Sequence, residues 1–392
     1  MTSAFSESAL ANLTGAFQLA VDDGLIPGAV LLLDVAGETW VQAVGCRDVE
    51  THTPMTADTI FRIASMTKPI LATAAMILVE DGLLELDAPV DRWLPEFAHR
   101  RVLRHAGAPL ADTIPADRAI TLRDLLTNQW GLGALFADSP TALQSAMEDA
   151  GVAPGYLPPS MPPDDWIRAL AALPLAFQPG EGWLYHTGFD VLALLLTRVA
   201  GVPVSELLRA RIFEPLGMPD TAYQVPAGTV DRLATCYASG RVPGRFTIVD
   251  PGRDGEWSRP PLFPSEVVST AADYLAFARM LRSRGDSPGG RILAPSSVDL
   301  MIRDHVPGDV KQRFPFFPGF WNTTGWGFGV SVVTQPGPEP GPPVSSYGWS
   351  GGFHTHWMND PVNDLTGLLL MQLQSDGPEQ SGLPGAFWRL AY

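Results

Sequence analysis

Only two of the 26 lysine and arginine side chains in this 392-residue chain are lysines, Lys68 and Lys311. Cysteine is as scarce: Cys46 and Cys236 make neither a disulfide framework nor a cysteine metal cluster, and both read as small core residues. Positive charge is in deficit throughout, with a net charge of −16, which argues against a nucleic acid or an anionic membrane surface as partner. No basic segment followed by an apolar stretch stands at the N-terminus, so a cytoplasmic location is expected. The apolar run Ile70–Val79 is too short to span a bilayer. Repeats and low-complexity tracts are missing as well. What is left, 46% hydrophobic and 17% charged, is a globular chain with one large or two moderate cores.

Against that scarcity, Lys68 stands three residues after a serine in Ser65-Met66-Thr67-Lys68. An arginine keeps its proton in a protein, whereas a lysine removed from water can act as a base. The run from Ser65 to Leu84 reads as one buried helix, apolar almost all round, with Pro69 in its first turn and Gly82 as its stop. Residues i and i+3 share a helix face, so Ser65 and Lys68 project together near the positive end of the helix dipole. A helix cap beside a surface charge would give the same four residues.

Elsewhere, 8–22 reads as an amphipathic helix, and Ala29–Val35 with Thr39–Val44 as a hairpin closed near Gly37. From about 66 to 220 the patterns are mainly helical (121–127, 164–173, 188–200, 204–213), separated by Pro-rich loops such as Pro154–Pro163. A helix at 270–283 leads to strand-like stretches at Gly327–Val333, Ser346–Trp349, Phe353–Asn359 and Leu365–Leu373. The expected fold class is α/β (α+β): an antiparallel sheet flanked by helices and built from both chain ends, with an inserted all-helical domain. The expected division is 1–75 with 221–392 for the α/β domain and 76–220 for the helical one, with the active site between them.

Two further elements carry chemistry. Tyr185-His186-Thr187 follows a Pro-Gly turn, and a tyrosine beside a positive charge can take a proton from a serine. Tyr347-Gly348-Trp349-Ser350-Gly351-Gly352 reads as a strand whose small residues let a substrate approach backbone N–H donors. The same stretch satisfies G-x-S-x-G, the nucleophile elbow of another hydrolase fold. That reading needs a helix at this point and an acid and a histidine well downstream; only His354 and His356 follow, on what reads as a strand. His-x-His also suggests a metal, but a third ligand is not evident.

In this order, Ser65-x-x-Lys68, Tyr185-x-Thr187 and Trp349-Ser350-Gly351 resemble the serine β-lactamase and penicillin-binding protein superfamily, and most of all its class C-like family VIII carboxylesterases. Leu86-Asp87-Ala88-Pro89-Val90, Phe177-Gln178-Pro179-Gly180, Pro215-Leu216-Gly217-Met218 and Ser269-Thr270-Ala271-Ala272-Asp273 extend the likeness over nearly the whole chain. The resemblance implies Ser65 as nucleophile, Lys68 and Tyr185 sharing the duty of base, an oxyanion hole of the Ser65 and Gly352 N–H groups, water activated by the same tyrosine, and no cofactor or metal. It also implies a small-molecule ester as the substrate; the chain itself is expected to be a monomer or small homo-oligomer.

Departures from the family pattern bear on substrate. Trp349 stands where relatives that cleave β-lactams or peptides carry a lysine that holds the substrate carboxylate, and Thr187 where class C enzymes carry asparagine. Both changes favour uncharged esters. Trp130, Phe136, Phe316, Phe317, Phe320, Trp321, Trp326 and Phe353 are candidates to line an apolar pocket, and Trp349, Ser350, Gly351 and Thr187 are expected to bind substrate. Asn128-Gln129-Trp130 and Pro260–Pro264 also depart from the pattern, the latter replacing a Gly-rich stretch before Val267. A β-lactamase, a D-amino-acid peptidase, an acyltransferase to alcohols and a non-catalytic binding protein remain alternatives.

Overall fold

A computed structural model describes residues 5–134, 141–240, 242, 244–337, 340–375 and 382–392. Eight strands form one sheet: β1 (Gly28–Val35), β2 (Glu38–Asp48), β3 (Thr53–Pro54), β4 (Thr324–Trp326), β5 (Ser331–Val333), β6 (Tyr347–Gly351), β7 (Thr355–Asp360) and β8 (Leu365–Met371). Their spatial order is β4-β5-β6-β7-β8-β1-β2-β3, with antiparallel neighbours, so the two ends of the chain meet where β1 pairs with β8 (Leu32 opposite Leu368). The β1–β2 hairpin turns on Ala36 and Gly37, both at positive φ, the backbone that a two-residue loop between twisted strands requires.

The uninterrupted apolar runs in β1 and β8 reflect cover on both faces. Alternate residues sort themselves between two cores. Val30, Leu32, Leu368 and Leu370 join the large inner core, while Ala29, Leu31, Leu33 and Leu369 join an outer one. Outside lie helix α1 (Glu7–Asp22), which buries Leu13, Phe17 and Ala20, and the C-terminal Leu383–Ala391, whose Phe387 meets Phe17 edge-on at 6.3 Å. On the inner side are α2 (Thr67–Glu80), α3 (Thr187–Ala200) and α4 (Ala271–Arg282). Asp34 of β1, fully buried, is clamped by Arg279 and Arg282 of α4.

Local bounds differ from expectation where tertiary contacts intervene. The run from Ser65 to Leu84 is not one α-helix: Ala64–Met66 form a 3-10 turn with Ala64 at φ 45°, and α2 ends at Glu80. The 204–213 stretch divides into Val204–Leu208 and a wider turn over Arg209–Phe213. Of Gly327–Val333 only Ser331–Val333 is strand (β5), because the Gly327 N–H closes a tight turn on the Val330 carbonyl at 2.8 Å just after β4 ends. The middle of the chain also holds a short hairpin, Arg101–Leu103 with Thr113–Pro115.

Candidate active site

The turn at Ala64–Met66 is held on every side. Upstream, Arg62 is fully buried and paired with Asp250, and its Nη1 donates to Gln372 Oε1 at 2.8 Å. The Ile63 N–H donates to the Val267 carbonyl at 3.2 Å, and the Val267 N–H donates to Thr67 Oγ1 at 3.1 Å. Below, the Tyr274 hydroxyl donates to the Met66 carbonyl at 3.0 Å. Strand β6 closes the last side. Any side chain at Gly351 would collide with the Ile63 carbonyl, which also accepts from Thr355 Oγ1 at 3.1 Å. Glycine at 351 thus lets the strand press against the serine turn.

Within this frame Lys68 Nζ donates to Ser65 Oγ at 2.9 Å, the contact that i, i+3 spacing predicts. Both side chains are over nine-tenths buried. Tyr185 arrives from the loop before α3; its carbonyl accepts the Ala134 N–H at 2.8 Å. Lys68 Nζ lies 5.0 Å from the centre of the Tyr185 ring, and the Tyr185 hydroxyl accepts the Trp349 indole N–H at 2.6 Å. Trp349, expected only as an apolar wall, is therefore also a hydrogen-bond donor to the tyrosine oxygen.

Ser65, Tyr185 and Trp349 line a cavity of about 510 Å³, together with Gly351, Gly352, Ser350, His186 and Glu266. One wall is aromatic: Phe316, Phe317, Phe320, Trp349 and Tyr156. Several expected lining residues are elsewhere. Trp130 is fully buried, stacked on Phe97 at 5.6 Å, and Thr187 is buried in the first turn of α3. Trp326 and Phe353 are also fully buried, and Trp321 packs edge-on against Trp183 at 5.1 Å, one layer behind the wall. The aromatic ones lie in a core because apolar bulk buries wherever neighbouring elements close over it. Phe136 lies outside the described residues.

Ser350 sits in mid-strand on β6, its Oγ 2.7 Å from His356 Nδ1 on β7. The strand runs into a turn and then β7, so the strand-turn-helix of a nucleophile elbow does not form here. Tyr156 and Glu266 escaped the sequence reading. Tyr156 belongs to a Pro-rich stretch read as a spacer; its hydroxyl donates to the Ser375 carbonyl at 2.7 Å, and its ring covers Gly352. Glu266 had one available signal, an acid set directly before the apolar Val267-Val268. Burial pushes its carboxyl above the usual range, against the opposing pull of Lys68 and His186.

The Beta-lactamase family model matches residues 13–386. Esterase EstB from Burkholderia gladioli is 32% identical over 387 residues, covering 94% of this chain and 92% of its own. Lovastatin esterase from Penicillium rubens is 29% identical, with 95% of each chain covered. Among solved structures, EstCE1, a hydrolase with promiscuous acyltransferase activity, superposes with a TM-score of 0.80 at 27% identity, over 98% of each chain.

Proposed function

Because the chain belongs to the Beta-lactamase family, we propose that it is a serine carboxylesterase that cleaves short-chain, uncharged acyl esters through an acyl-enzyme on Ser65. The observation that carries this reading is one cluster: Lys68 Nζ lies 2.9 Å from Ser65 Oγ and 5.0 Å from the centre of the Tyr185 ring, and Trp349 Nε1 lies 2.6 Å from Tyr185 Oη. In acylation, Ser65 Oγ attacks the ester carbonyl as its proton passes to the Tyr185–Lys68 pair. The lysine charge favours the anionic forms of both oxygens. The Ser65 and Gly352 N–H groups serve the developing oxyanion; one such donor is worth roughly 100- to 1000-fold in rate. The proton then goes to the departing alkoxide, which leaves as the alcohol.

Substrate class follows from the wall. An indole at 349 supplies no fixed cation for a substrate carboxylate, and the cavity is faced by Phe316, Phe317 and Phe320. Esterase EstB and lovastatin esterase carry the same reaction class in their names. A second reading, acyl transfer to alcohols, is favoured by the aromatic wall, which limits water at the acyl group, and by the activity named for EstCE1.

The test is hydrolysis of a nitrophenyl butyrate ester by wild type, Ser65→Ala and Ser350→Ala. Loss in Ser65→Ala alone is expected; loss in Ser350→Ala alone moves the nucleophile to β6 and overturns the assignment. A chromogenic cephalosporin cleaved faster than the ester would overturn the substrate class.

A further inference from the structure

Glu266 has no task in the acylation steps above, yet it is over nine-tenths buried in the wall of the cavity that holds Ser65. Its Oε2 accepts no hydrogen bond from any described protein group. A carboxyl oxygen buried without a hydrogen bond costs free energy, so a cleft that keeps one invites a chemical reason. Its placement is fixed: the next residue, Val267, is bonded to both Ile63 and Thr67, on either side of Ser65. A second cavity of about 30 Å³ shares Pro154, Gly155, His186 and Glu266 with the main one and adds Asp190 and Ser265. At about 10–15 Å³ per molecule, that space admits about two to three waters, and its polar side chains meet the two to four partners a buried water needs. His186 is held there at φ 88°, with Nδ1 3.2 Å from Asp190 Oδ2.

We propose that this small pocket supplies the hydrolytic water past Glu266 to the Ser65 cavity and that Glu266, which lines both, is the base that activates it, so that acylation and deacylation use different bases. The inference rests on the Ser65 acyl-enzyme reading and deepens it. Water gives a proton to Glu266 as its oxygen bonds to the acyl carbon. The tetrahedral intermediate then breaks its bond to Ser65 Oγ, which takes a proton from the Lys68 ammonium. Glu266 returns its proton to Lys68, leaving the free acid and all three side chains restored. An alcohol of several carbons does not fit the small pocket and must be deprotonated from the main cavity by Tyr185. Glu266 thus separates hydrolysis from transfer.

The experiment is stopped-flow and intact-mass analysis of wild type, Glu266→Gln and Glu266→Asp with nitrophenyl butyrate, with and without added butanol. In Glu266→Gln a full burst of nitrophenol at the wild-type rate is expected, then turnover slowed by about 100-fold, with acyl-Ser65 accumulating. The ratio of butyl ester to acid should rise, and Glu266→Asp should recover part of the turnover. The full burst itself reports a folded site. Wild-type turnover in Glu266→Gln overturns the proposal. So does a burst slowed as much as turnover, which would make Glu266 a counter-charge to Lys68. A wild type that never acylates Ser65 defeats the parent reading instead.

Discussion

Replacing Trp349 by phenylalanine keeps an aromatic ring facing Phe316 and Trp326 but removes the donor that sits 2.6 Å from the Tyr185 oxygen. A neutral hydrogen bond is worth about 0.5–1.5 kcal/mol net and one to a charged oxygen about 1.5–3. If Tyr185 carries negative charge as it accepts the serine proton, the part of the bond that matters for rate is the difference, about 1–1.5 kcal/mol, or about tenfold in kcat/KM. The ring carries a separate cost, since the smaller side chain leaves a gap beside Trp326, whose ring centre is 4.6 Å away. Large-to-smaller core changes of this kind cost on the order of 1–3 kcal/mol of stability. The two effects separate experimentally: kcat/KM for nitrophenyl butyrate at a temperature where the variant is fully folded, and urea unfolding for the stability. A variant that loses stability but keeps kcat/KM within twofold would refute the donor role and return Trp349 to a purely apolar part.

Lys68→Arg retains a positive charge but cannot relay a proton, so at least about a 100-fold loss in kcat is expected; near-normal turnover would reduce Lys68 to electrostatics. Asp250→Ala leaves the fully buried Arg62 without its carboxylate, which should cost about 3–5 kcal/mol in urea unfolding. A loss under about 1 kcal/mol would show that the Gln372 and Ala234 oxygens suffice. Burial alone would raise the Asp34 carboxyl, but Arg279, Arg282 and Thr39 outweigh it and hold it below its ordinary value of 3.8. The folded state therefore binds that proton less readily than the unfolded chain. The stabilisation is present above that value and is lost as pH falls through the lower folded one. Melting temperature should fall with acidification below pH 4 or so in wild type, and this part of the fall should be missing in Asp34→Asn.

Some of this protein was legible before any contact was known. Ser65 and Lys68 meet because three residues of helical backbone bring them onto one face, whatever surrounds the helix. The hairpin turn near Gly37 and the apolar strand runs of β1 and β8 follow from equally short-range rules. Membership of the family was readable from ordered motifs spread along the chain. Tertiary structure alone decided which aromatic rings face the cavity: Phe316 and Phe320 do, while Trp130 is stacked on Phe97. It also decided that Trp349 donates to Tyr185 across 164 residues of chain, and that Glu266 lies beside Ser65 because Val267 is bonded to Ile63 and Thr67. Helix and turn geometry act over a few residues and leave a periodic trace in the sequence. The facing of a ring or the burial of an acid depends on registers between distant segments, and those leave none.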